Sequence, residues 1–326
     1  MLRKVLILAW LGLFFSGVRI NALAGEALAT GASAAQEIQA DISTEVQPAV
    51  EEEWSPSSAG PVVTWTAPLC AKGQLLIQPF FFYNRTRGTF DSEGKYRSLN
   101  KGDRQYQYQQ ELFIEYGITD RLEIAADIFY QQNYLKQDGL SAHSSGFSDS
   151  YLYLRYCGLE EKKLLPQITG ILQVKMPTGK YQHLNPDKLG TDSMGTGSWD
   201  PGIGLILTKR LRPFIFHADA VFSFPQKVMI DKVKTRYASY ANYDFGVEYF
   251  LPQGFNLMLE ANGCLQGDTW SDGERTSGTS TQYLNISPGI GWSNDKIQTL
   301  IAYQRTLIGK NTDANDSVVL TCIYNF

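Results

Sequence analysis

The sequence lacks long apolar runs, and the longest, Val5 to Val18, covers 14 residues. A membrane-spanning helix needs roughly 20. Arg3 and Lys4 precede this run and Ala22-Leu23-Ala24 follows it, which is the order of a secretory signal peptide and its cleavage site. We therefore predict an exported protein without a transmembrane helix. Its signal peptide covers residues 1–24 and is cleaved near Ala24, with an uncleaved anchor as the alternative.

Histidine and cysteine are scarce, at seven positions in all: Cys70, His143, Cys157, His183, His217, Cys264 and Cys322. Their spacing fits neither a zinc site nor a disulfide framework, so we expect no metal and no cofactor. His217 shares a predicted strand face with Asp219 and Ser223, the residue types of a hydrolase. Residues i and i+2 of a strand lie about 6.5 Å apart, too far for a hydrogen-bonded pair. We expect that the protein is not an enzyme.

The apolar residues that are present are dispersed, because they make up 43% of the chain while the mean hydropathy is −0.22. They alternate with polar residues, for example from Leu122 to Gln131 and from Tyr243 to Tyr249, which is typical of strands with one apolar face. Twelve segments have the length of strands that cross a membrane at a tilt: 73–84, 105–117, 121–134, 148–158, 166–176, 197–209, 214–225, 239–250, 255–266, 281–292, 297–307 and 316–326.

The connections between these segments alternate in length. Short turns such as 118–120 and 251–254 alternate with long loops such as 85–104, 177–196 and 308–315. Outer-membrane barrels have short periplasmic turns and longer outer loops. We predict an all-β fold: a single antiparallel transmembrane β-barrel of about 12 strands over residues 70–326. Barrels of ten or fourteen strands and a soluble β-sandwich are the alternatives.

The segment before the barrel lacks lysine and arginine. Residues 25–60 hold seven acidic residues, whereas residues 61–326 carry 26 charges of each sign. We predict an acidic, mobile periplasmic tail over residues 25–69, with a helix that plugs the barrel as the alternative. Because the barrel domain has balanced charge, we expect no nucleic-acid binding.

Strand parity predicts which charged side chains line the lumen. The candidates are Glu111, Glu115, Glu123, Asp127, Asp149, Arg155, Lys175, His217, Asp219, Asp244, Glu248 and Glu260. Nine acids against two permanent bases would concentrate cations in a solvated lumen. The alternative is that these residues pair with one another or with the tail and fill a narrow barrel.

The last nine residues, Val318 to Phe326, alternate in character and end on an aromatic ring. This ending resembles the C-terminal signal of bacterial outer-membrane barrels, in which Tyr324 and Phe326 would be read by the barrel-assembly machinery. A closed barrel must pair this strand with the first one, near Leu75 to Tyr83, to leave no free edge. We therefore place the protein in the bacterial outer membrane.

Four motifs carry a family resemblance: Glu115-Tyr116-Gly117-Ile118-Thr119-Asp120-Arg121-Leu122-Glu123; Phe147-Ser148-Asp149-Ser150 with Leu154-Arg155-Tyr156; Lys175-Met176-Pro177-Thr178-Gly179-Lys180-Tyr181; and Gly195-Thr196-Gly197-Ser198-Trp199-Asp200. In this order they resemble the outer-membrane family named "putative meta-pathway of phenol degradation", over roughly residues 70–326. The resemblance implies a transporter-like barrel that passes small compounds, including aromatic ones.

Two predicted outer loops carry clustered bases: Arg85, Arg87, Lys95, Arg97, Lys101 and Arg104 in the first, and Lys227, Lys232, Lys234 and Arg236 in the fourth. Such clusters would meet lipid phosphates, so outer-membrane lipid and lipopolysaccharide are expected partners, with ordinary solvated loops as the alternative. Two functions fit the sequence. The first is a channel through which small solutes diffuse along a polar, acid-rich lumen. The second is a non-conducting barrel that acts in structure or surface recognition through its long outer loops.

Overall fold

The computed structural model describes residues 60–294 and 296–325, together with Trp54, Pro56 and Ser58. The predicted signal peptide, the predicted tail as far as residue 53, and Phe326 lie outside the described residues. Of Tyr324 only the backbone is described. Across the described part of the chain, no helix is long and apolar enough to span a membrane.

Nearly all regular structure in the described chain is β-strand. The strands are β1 (Leu75–Phe90), β2 (Tyr96–Ser98), β3 (Arg104–Thr119), β4 (Leu122–Gln137), β5 (Leu140–Phe147), β6 (Ser150–Leu159), β7 (Gln167–Met176), β8 (Asp200–Leu211), β9 (Phe214–Ser223), β10 (Val228–Ile230), β11 (Val233–Arg236), β12 (Tyr240–Phe250), β13 (Phe255–Gln266), β14 (Trp270–Ser271), β15 (Glu274–Arg275), β16 (Thr281–Ser293), β17 (Ile297–Lys310) and β18 (Thr312–Asn325). Short 3-10 turns lie at Pro186–Lys188 and Pro252–Gly254.

Twelve of these strands form a closed antiparallel barrel, in the order β1, β3, β4, β6, β7, β8, β9, β12, β13, β16, β17, β18. The ring closes because β18 pairs with β1, for example Phe80 with Thr321 and Tyr83 with Val318. β5 pairs with the outer half of β4 and β6 with its other half. Closure satisfies the backbone hydrogen bonds of every strand, as a lipid environment requires. The predicted fold class and the count of twelve barrel strands are confirmed.

Side chains alternate between a lipid-facing surface and the lumen. Glu123 and Glu260 are at most 1% exposed, whereas their outward neighbours Ile124 and Leu259 are 45% and 46% exposed. Exposed apolar side chains of this kind cover the outside of most barrel strands, as expected for a surface solvated by lipid.

The outer connections contain more structure than the sequence indicates. β10, β11, β14 and β15 pair into a small four-stranded sheet built from the two loops that follow β9 and β13. The prediction of a loop over residues 308–315 is wrong, because β17 and β18 extend to a tight turn at Asn311. Asn311 has φ = 47°, a left-handed conformation that asparagine tolerates well, so one residue reverses the chain.

The boundary predicted between tail and barrel is also wrong in part. Residues 60–69, which the sequence predicts as part of a mobile tail, run through the lumen without helical structure. Their apolar side chains pack against the inner wall, Val62 with Phe80 and Met258, and Ala67 with Ile171. Residue order gives little sign of this position, because the segment is bound largely through its backbone amides.

Candidate functional site

The lumen contains a chain segment, Ser58 with residues 60–72, that we call the lumen segment. Trp54 lies before it, with its ring 5.6 Å from that of Phe250 at the periplasmic end of β12. Behind it, Gly73 N donates to Gly117 O at the periplasmic end of β3, over 2.7 Å. The lumen segment therefore enters and leaves on the periplasmic side and forms a bend inside the barrel.

Glu260 of β13 holds the middle of this bend. Its carboxylate accepts hydrogen bonds from three successive backbone amides, Val62 (3.0 Å), Val63 (2.9 Å) and Thr64 (2.8 Å). The Thr64 hydroxyl donates to the same carboxylate over 3.0 Å. Hydrogen bonds to an ionised acceptor are roughly twice as strong as those between neutral groups. Glu260 is therefore a strong anchor for the segment.

Three other acidic residues of the inner wall repeat this role. Asp219 accepts from Trp65 N (2.9 Å) and Glu123 from Cys70 N (2.6 Å). Glu248 accepts from the Ser58 hydroxyl over 2.8 and 3.0 Å. The barrel strands already use one another's backbone groups, so amides of the segment need acceptors from wall side chains. Four of the nine predicted lumen acids thus bind the segment rather than standing free in water.

Arg155 of β6 connects the inner wall of the barrel with the lumen segment. It donates to Glu115 and Glu123, both over 2.7 Å, and to the carbonyl oxygens of Thr66 and Pro68. Its guanidinium lies 5.0 Å from the Trp65 ring centroid, a cation–π distance. Arg155 is 1% exposed. One buried base therefore serves two acids and two backbone carbonyls.

His217, Asp219 and Ser223 bind separate partners. His217 is hydrogen-bonded to Glu248 and to Thr208, each over 3.0 Å. Asp219 binds the lumen segment, and Ser223 accepts from Gln173 over 2.8 Å. These contacts use the side chains in wall packing rather than in a nucleophile–base pair.

Beside the lumen segment lies a cavity of about 840 Å³, which we call the chamber. Its wall combines aromatic rings, amides and five carboxyl groups, which belong to Glu111, Glu115, Asp127, Asp219 and Asp244. The rings are those of Trp65, Phe80, Phe82, Phe113, Phe129, Tyr151, Tyr153 and Tyr283. Asp127 accepts from the Tyr153 hydroxyl over 2.8 Å. The chamber can therefore receive a solute with both an aromatic face and polar groups.

The loop between β7 and β8, residues 177–199, folds into the outer mouth. Asp149 holds its two ends, because it accepts from Gly179 N (3.1 Å) and from Thr196 N (2.9 Å). Lys175 lies 2.7 Å from Asp200 and 3.6 Å from Asp149. Three of the sequence motifs, around residues 147–150, 175–181 and 195–200, therefore meet in one place, the junction of this loop with the wall.

The middle of the mouth loop reaches the inner face of β4. Asn133 donates to Thr191 O over 2.9 Å, and Gln131 lies 3.0 Å from the sulfur of Met194. Met194 is 4% exposed. Within the loop, the Lys180 ammonium that donates to Asp192 over 2.6 Å holds the pKa of that carboxyl below its usual range. The loop thus narrows the outer mouth as the lumen segment narrows the periplasmic half.

All twelve predicted lumen residues are thus located, on the inner wall or, for Asp149, at its outer rim. Sequence reasoning missed the lumen segment itself, with Trp65 and Thr64, and the mouth loop with Met194. Trp54 and Trp65, with the apolar pair Val62-Val63 between them, were the available signal. In the described part of the chain no cluster of three or more His, Cys, Asp or Glu is arranged to hold a metal ion. The four cysteines are free thiols.

A closed antiparallel barrel with an apolar outer surface and a polar interior is a bacterial outer-membrane protein. The chain belongs to the family described as "Putative MetA-pathway of phenol degradation", whose sequence profile matches residues 121–320. The predicted family and the predicted outer-membrane location are confirmed. A comparison with curated proteins gives no match.

A solved structure has the same architecture. An outer membrane channel from Pseudomonas putida F1 is similar, with a TM-score of 0.68 and 15% identity over 82% of this chain and 100% of that one. The translocator domain of the autotransporter NalP from Neisseria meningitidis aligns with a TM-score of 0.46 and 11% identity, over 79% of this chain and 90% of that chain. The toluene transporter TodX from P. putida aligns with a TM-score of 0.42 and 9% identity, over 79% of this chain and 91% of that chain.

Proposed function

We propose that the protein is an outer-membrane channel for small organic solutes, including small aromatic compounds. The chamber is the observation that carries the proposal. Its volume of about 840 Å³ exceeds that of a single-ring compound, and its wall brings many aromatic rings together with carboxyl groups. The family description, which refers to phenol degradation, supports the same class of solute.

The chamber wall favours cationic and aromatic solutes over anions. Rings attract a solute ring through stacking and edge contacts, and they attract a cation through the negative face of the π-system. Five carboxyl groups line the chamber, whereas its basic groups are Arg155 and Arg210. Arg155 is already paired with Glu115, one of the five, and with Glu123. A wall of one predominant sign raises the local concentration of the opposite charge.

Passage requires displacement of the lumen segment, which crosses the periplasmic half of the lumen. This segment is held by side-chain hydrogen bonds and by small apolar contacts of Val62 and Ala67, and it is not paired into the barrel sheet. It can therefore move without breaking the barrel ladder. We infer that its occupancy sets the conductance.

The test is planar-bilayer recording of the full chain and of a variant that lacks residues 58–70. We expect low conductance from the full chain and several-fold higher conductance from the deletion. Under bi-ionic conditions, benzyltrimethylammonium should permeate better than tetramethylammonium, and a salt gradient should show cation preference. The double variant Glu260→Gln with Asp219→Asn, which keeps the segment but weakens its anchors, should fall between the two.

A non-conducting barrel is the second candidate function. The outer four-stranded sheet favours it, because Arg236 lies 5.1 Å from the Trp270 ring and Lys234 N donates to Asp272 over 2.9 Å, which fixes a surface suited to recognition. If the folded deletion variant stays without conductance, the channel proposal is wrong and this second function stands. Heat-modifiable migration in gels shows whether each variant is folded.

A further inference from the structure

The outward face of the barrel carries a one-sided patch of bases at its outer end. We define the basic patch as Arg85 of β1, Arg104 of β3, Lys136 of β4 and Arg305 of β17. All four residues are exposed and belong to the outward parity of their strands. On β8 and β9 the outward positions of the outer half are apolar, for example Ile203, Leu205 and Phe222. The patch therefore distinguishes one side of the barrel.

Strand register brings these bases close to one another. Arg104 lies directly opposite Lys136. Arg85 lies opposite Tyr106, two positions along β3 from Arg104. Directly opposed residues have Cβ atoms about 5 Å apart, and like charges in such a pair destabilise a sheet, while diagonal neighbours at about 7–8 Å are within reach of long side chains. The barrel alone gives no reason for this arrangement, but a bound anion would remove its cost.

Among the described residues, the acids of this surface leave three of the four bases of the patch without an ion pair. Asp316 lies opposite both Arg85 and Arg305, but its carboxylate is 3.2 Å from Arg87 and 3.8 Å from Arg305. Asp103, beside Arg104, accepts from the amide of Asp138 at the strand ends. Within the described residues, no carboxylate lies at ion-pair distance from Arg85, Arg104 or Lys136. Three exposed bases thus lack a protein counter-charge.

A band of tyrosine rings fixes the depth of the patch in the membrane. Tyr83, Tyr106, Tyr108 and Tyr134 form a continuous row on the outward face, with Tyr106 stacked on Tyr134 at 4.4 Å and Tyr83 at 5.2 Å from Tyr108. Aromatic girdles of this kind mark the interface between the apolar core and the lipid headgroups. Arg104 lies two positions beyond Tyr106, and Lys136 two positions beyond Tyr134, in the direction of the outer surface. Both bases therefore lie at the level of the lipid headgroups.

We propose that the basic patch binds the phosphate groups of lipid A in the outer leaflet. A phosphate carries negative charge and several acceptor oxygens, and the planar guanidinium groups of Arg85 and Arg104 match it with paired donors, while Lys136 adds a point charge. A phosphate between Arg104 and Lys136 turns their repulsion into two attractions. The proposal rests on the outer-membrane location and is independent of conduction.

The binding test compares the full chain with the variant Arg85→Gln/Arg104→Gln/Lys136→Gln. A matched control, Lys227→Gln/Lys232→Gln/Lys234→Gln, removes the same charge from the outer loop that contains β10 and β11. Lipid A retained per barrel is counted by native mass spectrometry after washing in detergent. We expect retention to fall at least ten-fold in the patch variant and to stay unchanged in the control. Lipid A stripped of its phosphates should bind the unmodified chain as poorly as intact lipid A binds the patch variant.

A stability measurement separates binding from a structural role. In detergent without lipid A, Arg104→Gln removes the repulsion with Lys136, so its unfolding temperature should equal or exceed that of the unmodified chain. With lipid A present the order should reverse. The proposal is overturned if the patch variant retains as much lipid A as the unmodified chain, or if the control variant loses as much as the patch variant. It is also overturned if phosphate-free lipid A binds as well as intact lipid A, or if lipid A leaves the order of the unfolding temperatures unchanged.

Discussion

At the residue scale, single carboxylates of the inner wall decide whether the lumen is occupied. Strand parity indicates from the sequence alone that Glu123, Asp219, Glu248 and Glu260 face inward, since side chains alternate along a strand. It does not indicate their partners in the lumen segment, because these are backbone amides and, for Glu248, the Ser58 hydroxyl, all more than 50 residues away in the chain. A backbone amide has no sequence signature. The acid-rich lumen was therefore predictable, and its use as an anchor was not.

Glu260→Gln tests this anchor. The substitution removes the charge that four donors share, and one amide oxygen cannot serve all of them, so local opening should become easier by about 2 kcal/mol. Hydrogen exchange at the amides of Val62, Val63 and Thr64 should then be about 30-fold faster. Glu161→Gln is the control, since Glu161 binds Lys209 and Arg210 near the periplasmic turns. Unchanged exchange at the three amides would show that Glu260 does not hold the segment.

At the element scale, the barrel strands were predictable and the outer connections were not. Alternation over a dozen residues locates strands such as β12 and β13 within one residue of their ends. Alternation does not show where a strand ends beyond the membrane. For this reason β17 and β18 extend through residues 308–315, where the sequence predicts a loop. The mouth loop was predictable only as a long connection. Its fold depends on Asp149 and Lys180, which bind residues more than ten positions away.

The mouth loop should loosen in acid. The pKa of Asp192 is lowered chiefly by the hydrogen bond from Lys180, so the pair stabilises the folded loop above the ordinary carboxyl pKa of 3.8. As the pH falls through the lowered pKa, protonation of Asp192 removes that stabilisation. Hydrogen exchange at Met194 and Gly195, whose amides donate to Lys180 O, should be faster in Asp192→Asn than in the unmodified chain at neutral pH.

The same comparison supplies its own control. Below the lowered pKa of Asp192 the two proteins should converge, because both then lack the Asp192 charge. A difference that persists unchanged under acid would show that the amide substitution, and not the loss of charge, loosens the loop.

At the scale of the whole molecule, closure requires β18 to find β1 across the full length of the chain. Removal of Phe326 should therefore lower the amount of folded barrel in the outer membrane several-fold, since the expected assembly signal comprises Tyr324 and Phe326. The amount of folded barrel is measured by heat-modifiable migration of membrane fractions in gels. Phe326→Tyr keeps a terminal ring and should assemble normally. Equal assembly of the truncated chain would remove this role from the C-terminal residue.

Residue order alone predicts the barrel, about twelve strands and an outer-membrane location, because a lipid solvent imposes alternation and closure that can be read from the sequence. The contents of the lumen became visible only in the folded chain. The lumen segment and the mouth loop are held by contacts between residues distant in the chain, such as Glu260 with Val62 and Asn133 with Thr191. Such contacts follow from the closure of the wall around them and leave no periodic pattern in the sequence.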